Sequence, residues 1–123
     1  MKLWLFAGAI AMALAVALGA FGAHGLKNRL PADLLAVYHT GVEYHVYHAL
    51  GLLLVGVIAG FYPNAGGVQW AGALLLAGIV IFSGSLYALS ISGVRVLGAI
   101  TPIGGVAFIA GWVTLAVSVW RAS

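Results

Sequence analysis

The segment 38–48, which reads YHTGVEYHVYH, holds the densest run of histidine, tyrosine and acidic side chains in this sequence. On a helix, residues four apart share a face, so His39, Glu43 and Tyr47 would point in one direction. Imidazole and carboxylate suit Zn or Fe, which makes His39 and Glu43 candidate metal ligands, although the sequence identifies no third ligand. The alternative, which we favour, is an interfacial belt of His and Tyr side chains with a contact between Glu43 and a histidine.

A second arrangement that suggests chemistry is the pair His24 and His48. Tyr44 and His48 are four residues apart and share a second face of this helix, while Tyr38 and His45 share a third face. We expect His24 and His48 about one turn inside their helices, at similar depth on neighbouring helices. Facing histidines hold haem in helical membrane bundles, and neutral histidines relay protons or contact quinones. The simpler alternative is a hydrogen bond from each imidazole to a backbone carbonyl or a serine hydroxyl.

Hydroxyl groups form the third candidate set, with Ser83, Ser85 and Tyr87 inside an otherwise apolar run. In membrane helices, Ser and Thr usually donate to a carbonyl of their own helix or bridge two helices. A hydrolase-like set of Ser85, His48 and Glu43 is disfavoured, because nothing places Ser85 on the strained turn that such a nucleophile occupies.

The segment Thr101-Pro102-Ile103-Gly104-Gly105 interrupts the last apolar run. Pro102 removes one backbone N–H, and Gly104 and Gly105 add flexibility. Such a break is either a packing kink, which we favour, or an unwound segment that faces a ligand.

Composition shows which elements must position these groups. Of the 123 residues, 64% are hydrophobic and 6% are charged, and the mean hydropathy of +1.17 is typical of a membrane protein. Five Lys or Arg against two Asp or Glu do not form the basic stripe of a nucleic-acid-binding protein. With no cysteine, disulfides and thiolate metal sites are excluded.

Four apolar runs are long enough to cross a bilayer, at about residues 3–23, 43–62, 68–91 and 96–120. They are apolar on every face, which indicates helices rather than barrel strands. A removed signal peptide at the N-terminus is disfavoured, because Ala11, Ala15, Gly19 and Ala23 form a stripe suited to helix packing. We therefore predict an all-α membrane protein: one integral domain built as a four-transmembrane-helix bundle.

The connection between spans one and two is the long one, and Pro31 followed by Asp33 is typical of a helix start. Leu34, Leu35 and Tyr38 would then lie on the membrane surface, which predicts a short interfacial helix that enters span two near Gly41. The other connections are short, so neighbouring spans are antiparallel.

Antiparallel threading gathers the polar groups at one membrane face, while Trp4, Trp70, Trp120 and Tyr62 mark the other. Polar groups in a bilayer need partners or water, so this gathering predicts a polar pocket or a hydrogen-bonded cluster. The candidate residues are His24, Tyr44, His48, Ser83, Ser85, Tyr87 and Thr101.

Four motifs carry a resemblance to a known family: GAFGAHGL at 19–26, YHVYHAL at 44–50, FSGSLY at 82–87 and LGAITPIGG at 97–105. Together they resemble the YgdD-like small inner-membrane proteins, the family catalogued as domain of unknown function 423, which has relatives among small mitochondrial membrane proteins. The resemblance implies a four-span integral protein of the cell (inner) membrane without an established activity. Its motif positions coincide with the polar face, whereas His39 and His45 lie outside the pattern.

We expect a non-enzymatic binding or accessory subunit whose polar end binds a small ligand, a lipid headgroup or a partner subunit. One alternative is an accessory to small-solute or proton transport, which needs a homo-oligomer or a larger membrane complex. The other is a haem- or quinone-linked redox subunit that uses His24 and His48. Beyond haem in that alternative, we expect no cofactor; the bilayer is the expected partner and nucleic acid is not.

Overall fold

The computed structural model describes residues 1–122, and these residues form helices and turns without a β-strand. Helix α1 spans Lys2–His24, α2 spans Ala32–Phe61, α3 spans Gly66–Gly78, α4 spans Gly84–Ser92 and α5 spans Thr101–Ala122. A π-helical segment, Ile79–Ser83, joins α3 to α4, and a 3-10 turn, Arg95–Ala99, precedes α5. Four helical stretches are long and apolar enough to cross a membrane: α1, α2, Gly66–Ser92 and Arg95–Ala122. The predicted all-α, four-span class is confirmed.

The short interfacial helix expected before span two does not form as a separate element. Residues 32–42 are the first turns of α2, which runs unbroken for 30 residues after Pro31. At 1.5 Å per residue this is about 45 Å, longer than the hydrocarbon core of about 30 Å. These turns pack against α1 instead of lying on the membrane surface. Tyr38 is fully buried there and donates a hydrogen bond to the carbonyl of Leu18 at 2.5 Å.

Helix α2 and the third span form the centre of the bundle. Helix α1 packs mainly along α2, and α5 packs mainly along α3. Glycines set how closely α1 and α2 approach: a Cβ atom on Gly8 would lie 2.9 Å from Leu53, and one on Gly56 would lie 2.8 Å from Leu5. Large side chains complete the core, among them Trp4, Leu52, Val55, Leu75 and Phe108.

The break predicted in the last span is the start of a helix. Pro102 lies in the first turn of α5, where its missing N–H has no intrahelical partner to lose. Gly104 brings α5 against the backbone of the π-helical segment, since a Cβ there would lie 2.4 Å from the Phe82 nitrogen. The segment is therefore neither a mid-helix kink nor an unwound loop, because residues 101–105 are all helical.

Candidate functional site

Serine and threonine hydroxyls connect the third span to both of its neighbours at the polar end of the bundle. Ser83, which is fully buried, donates to the Gly41 carbonyl of α2 at 2.7 Å. Ser85 donates to the Phe82 carbonyl at 2.8 Å, and its oxygen lies 2.6 Å from the Thr101 hydroxyl of α5. Because Ser85 has only one hydrogen to donate, Thr101 is the donor in the second bond. These bonds fix the third span against α2 and α5.

A histidine outside the candidate set, His45, forms a hydrogen bond between two helices at this end. The Tyr87 hydroxyl of α4 lies within hydrogen-bond distance of His45, 2.8 Å from its Nδ1. His45 thus links α2 to α4. Its seven-residue spacing from the buried Tyr38 is the sequence signal that it shares an inward face.

His48 is a buried packing group on the α5 side of α2. Its Nδ1 donates to the Tyr44 carbonyl one turn earlier at 2.7 Å, and its ring stacks on Phe108 with centroids 3.5 Å apart. Tyr44 itself is 38% exposed and lies against Phe82, 4.7 Å between ring centroids. The structure therefore gives His48 the simpler of its two predicted roles, a hydrogen bond to a backbone carbonyl.

The structure does not bring His24 and His48 together, and the expectation of similar depth is wrong. Gly8 lies opposite Leu53 and Gly22 opposite Tyr38, so His48 stands level with about residue 13 of α1. His24 is then about 16 Å away along the helix axis, and it is exposed at the end of α1. Two imidazoles so far apart cannot ligate one haem iron.

His39, Glu43 and Tyr47 share a face, as predicted from their spacing, and this face points away from the rest of the bundle. All three are exposed, and the Tyr47 hydroxyl donates to a carboxylate oxygen of Glu43. Within residues 1–122, no third His, Cys, Asp or Glu joins His39 and Glu43 in a group that could hold a metal. The other acidic residue, Asp33, is paired with Arg95 at 2.9 Å.

The polar end is packed rather than hollow. Every buried side-chain nitrogen or oxygen in the described chain has a hydrogen-bond partner. An open cavity of about 560 Å³ lies at the opposite end, between the turn at residues 62–67 and the last turns of α5, beside Arg121. Of the two predicted forms of the polar end, a pocket and a hydrogen-bonded cluster, the structure shows the cluster.

Comparison with known proteins identifies the family. The model of the family described as "Protein of unknown function (DUF423)" matches residues 18–105. The UPF0382 membrane protein YwdK of Bacillus subtilis is 55% identical over 118 residues, covering 96% of each chain. The UPF0382 membrane protein SH2409 of Staphylococcus haemolyticus is 49% identical over 121 residues, covering 98% of each chain.

The chain belongs to the DUF423 family. The resemblance inferred from the four motifs is thereby confirmed, and so is a membrane protein of unknown function. The DUF423 match runs from Leu18, which accepts the Tyr38 hydrogen bond, to Gly105 in the first turn of α5. It therefore contains both hydroxyl bridges of the polar end. No solved structure matches the chain.

Proposed function

We propose that this DUF423 protein is a non-enzymatic binding or accessory subunit of the cell (inner) membrane, and that it binds another membrane protein through the outer face of α2. The observation that carries the proposal is the position of Glu43, whose carboxylate is exposed on the outside of the bundle. Its hydrogen bond comes from Tyr47 of the same helix. A charged group in this position is costly in lipid unless a partner or water covers it.

The depth of Glu43 supports this proposal. We place Tyr62 in the aromatic belt expected at one membrane surface, and Glu43 precedes it by about 28 Å of helix. With a hydrocarbon layer of about 30 Å, Glu43 lies at the far edge of that layer rather than in bulk water. The buried polar side chains all have hydrogen-bond partners inside the bundle, most of them backbone carbonyls, which leaves the outward-facing Glu43 for a binding role.

Photo-crosslinking in native membranes tests the proposal. A photoreactive amino acid replaces Leu50, which is 49% exposed on the outer face of α2, or Ile109, which is 67% exposed on α5. We expect protein adducts at position 50 and lipid adducts alone at position 109. Lipid adducts alone at both positions would refute a protein-binding role for this face of α2.

A further inference from the structure

The outer face of α2 differs in its chemistry from the outer faces of α1 and α5. Toward the C-terminal end of α2 this face is apolar, with Leu50, Leu54 and Val57 each about half exposed. On the N-terminal side of these residues, the same face carries Tyr47, which is also half exposed, and Glu43. By contrast, the exposed side chains of α1 between residues 3 and 21, and those of α5 between residues 103 and 120, are all apolar.

Resting on the proposed function, we infer that the partner on this face is a second copy of the same chain, packed α2 against α2 about a two-fold axis along the membrane normal. Copies inserted by the same topology signals share one orientation, so their α2 helices meet in parallel and equal residues meet at equal depth. The Glu43 of one copy then meets the Glu43 of the other, with the hydroxyl-bearing turns of both copies beside the pair.

Hydrogen-bonding complementarity supports a self-pair. In a parallel helix pair, the Glu43 side chain packs between four residues of the facing helix. They are the facing Glu43 and the residues three before it, one after it and four after it. The last three positions are Thr40, Tyr44 and Tyr47. The Thr40 hydroxyl already donates to the Ala36 carbonyl and the Tyr47 hydroxyl to Glu43 of its own helix, so Tyr44 is the donor for the partner's carboxylate. The Tyr44 hydroxyl has no hydrogen-bond partner among the described residues. A second copy therefore brings a donor to the one carboxylate that has no cation partner within residues 1–122.

The apolar part of the face completes the contact. From Glu43 to Phe61 the exposed residues follow the alternating spacing of three and four that packs helices side by side, over about 27 Å. This length nearly equals the hydrocarbon thickness of about 30 Å. The pair is thus held by van der Waals contact through the bilayer and by hydrogen bonds at one edge of it.

Because the natural chain has no cysteine, disulfide trapping in native membranes is a direct test. Single cysteines replace Leu50 or Leu54 on the outer face of α2, and Ile10 or Ile109 serve as controls on the outer faces of α1 and α5. After mild oxidation we expect a product of twice the chain mass for the α2 variants only. Two differently tagged copies must both be present in that product.

Variants at Glu43 test the hydrogen bonds separately from packing. In the Leu50→Cys background, Glu43→Ala should lower the trapped dimer about tenfold, the effect of losing two modest interhelical hydrogen bonds. Glu43→Gln keeps the acceptor and should retain most of the dimer. Equal loss with both variants would overturn the hydrogen-bonding part of the inference, and so would no loss with either.

The outcomes also separate this inference from the proposed function. Absence of dimer from the Leu50 and Leu54 variants, or equal trapping at all four positions, would overturn the self-pair. If photo-crosslinking at position 50 then yields a different protein, the binding role stands and only its partner is corrected. If it yields lipid alone, both proposals fail.

Discussion

Replacing Gly104 by alanine is expected to lower the free energy of unfolding by about 2 kcal/mol. The new Cβ would lie 2.4 Å from the Phe82 nitrogen and 2.7 Å from its Cα, and backbone atoms cannot rotate out of the way. Overpacking costs about 1–3 kcal/mol, and a backbone clash belongs at the upper end of that range. The higher helix propensity of alanine returns up to about 1 kcal/mol.

The neighbouring glycine supplies a matched control. In Gly105→Ala the new Cβ would be 3.9 Å from the Phe82 ring, an ordinary contact, so stability should be unchanged or rise by up to about 1 kcal/mol. Both variants are measured by reversible unfolding in mixed detergent micelles, followed by circular dichroism. If Gly104→Ala proves as stable as Gly105→Ala, the close approach of α5 to the π-helical segment is not what holds these spans together.

Two further predictions concern the interhelical hydrogen bonds. Ser83→Ala should cost about 0.6–1.7 kcal/mol, because it removes the bond to Gly41. Ser90→Ala, equally buried but bonded within its own helix, should cost less than about 0.5 kcal/mol, and equal effects would contradict a bridging role for Ser83. For Tyr87→Phe and His45→Phe, a double-mutant cycle of unfolding free energies should give a coupling of about 1 kcal/mol. Zero coupling would show that the bond between the two side chains does not contribute to stability.

The sequence by itself determined the class, the number of spans and the end at which polar groups gather. These properties depend on local requirements: about 20 apolar residues to cross a bilayer, and partners for polar groups within it. The start of α2 after Pro31 could also be predicted, because a proline and an aspartate such as Asp33 favour the first turn of a helix whatever its position in the fold. For the serine hydroxyls the sequence predicted a bond within the helix or a bridge between helices, and only the structure shows that Ser85 makes both, with Thr101 as the partner across the helices.

Only the tertiary structure decided axial register and rotation. His24 and His48 were expected at one depth. The close contacts at Gly8 and Gly22 define the axial register of α1 against α2, and in that register the two histidines are far apart. Rotation of α2 turned His45 inward to Tyr87 and left Glu43 outside. Neither quantity can be read from one helix alone, because both are set by how the side chains of two helices interlock.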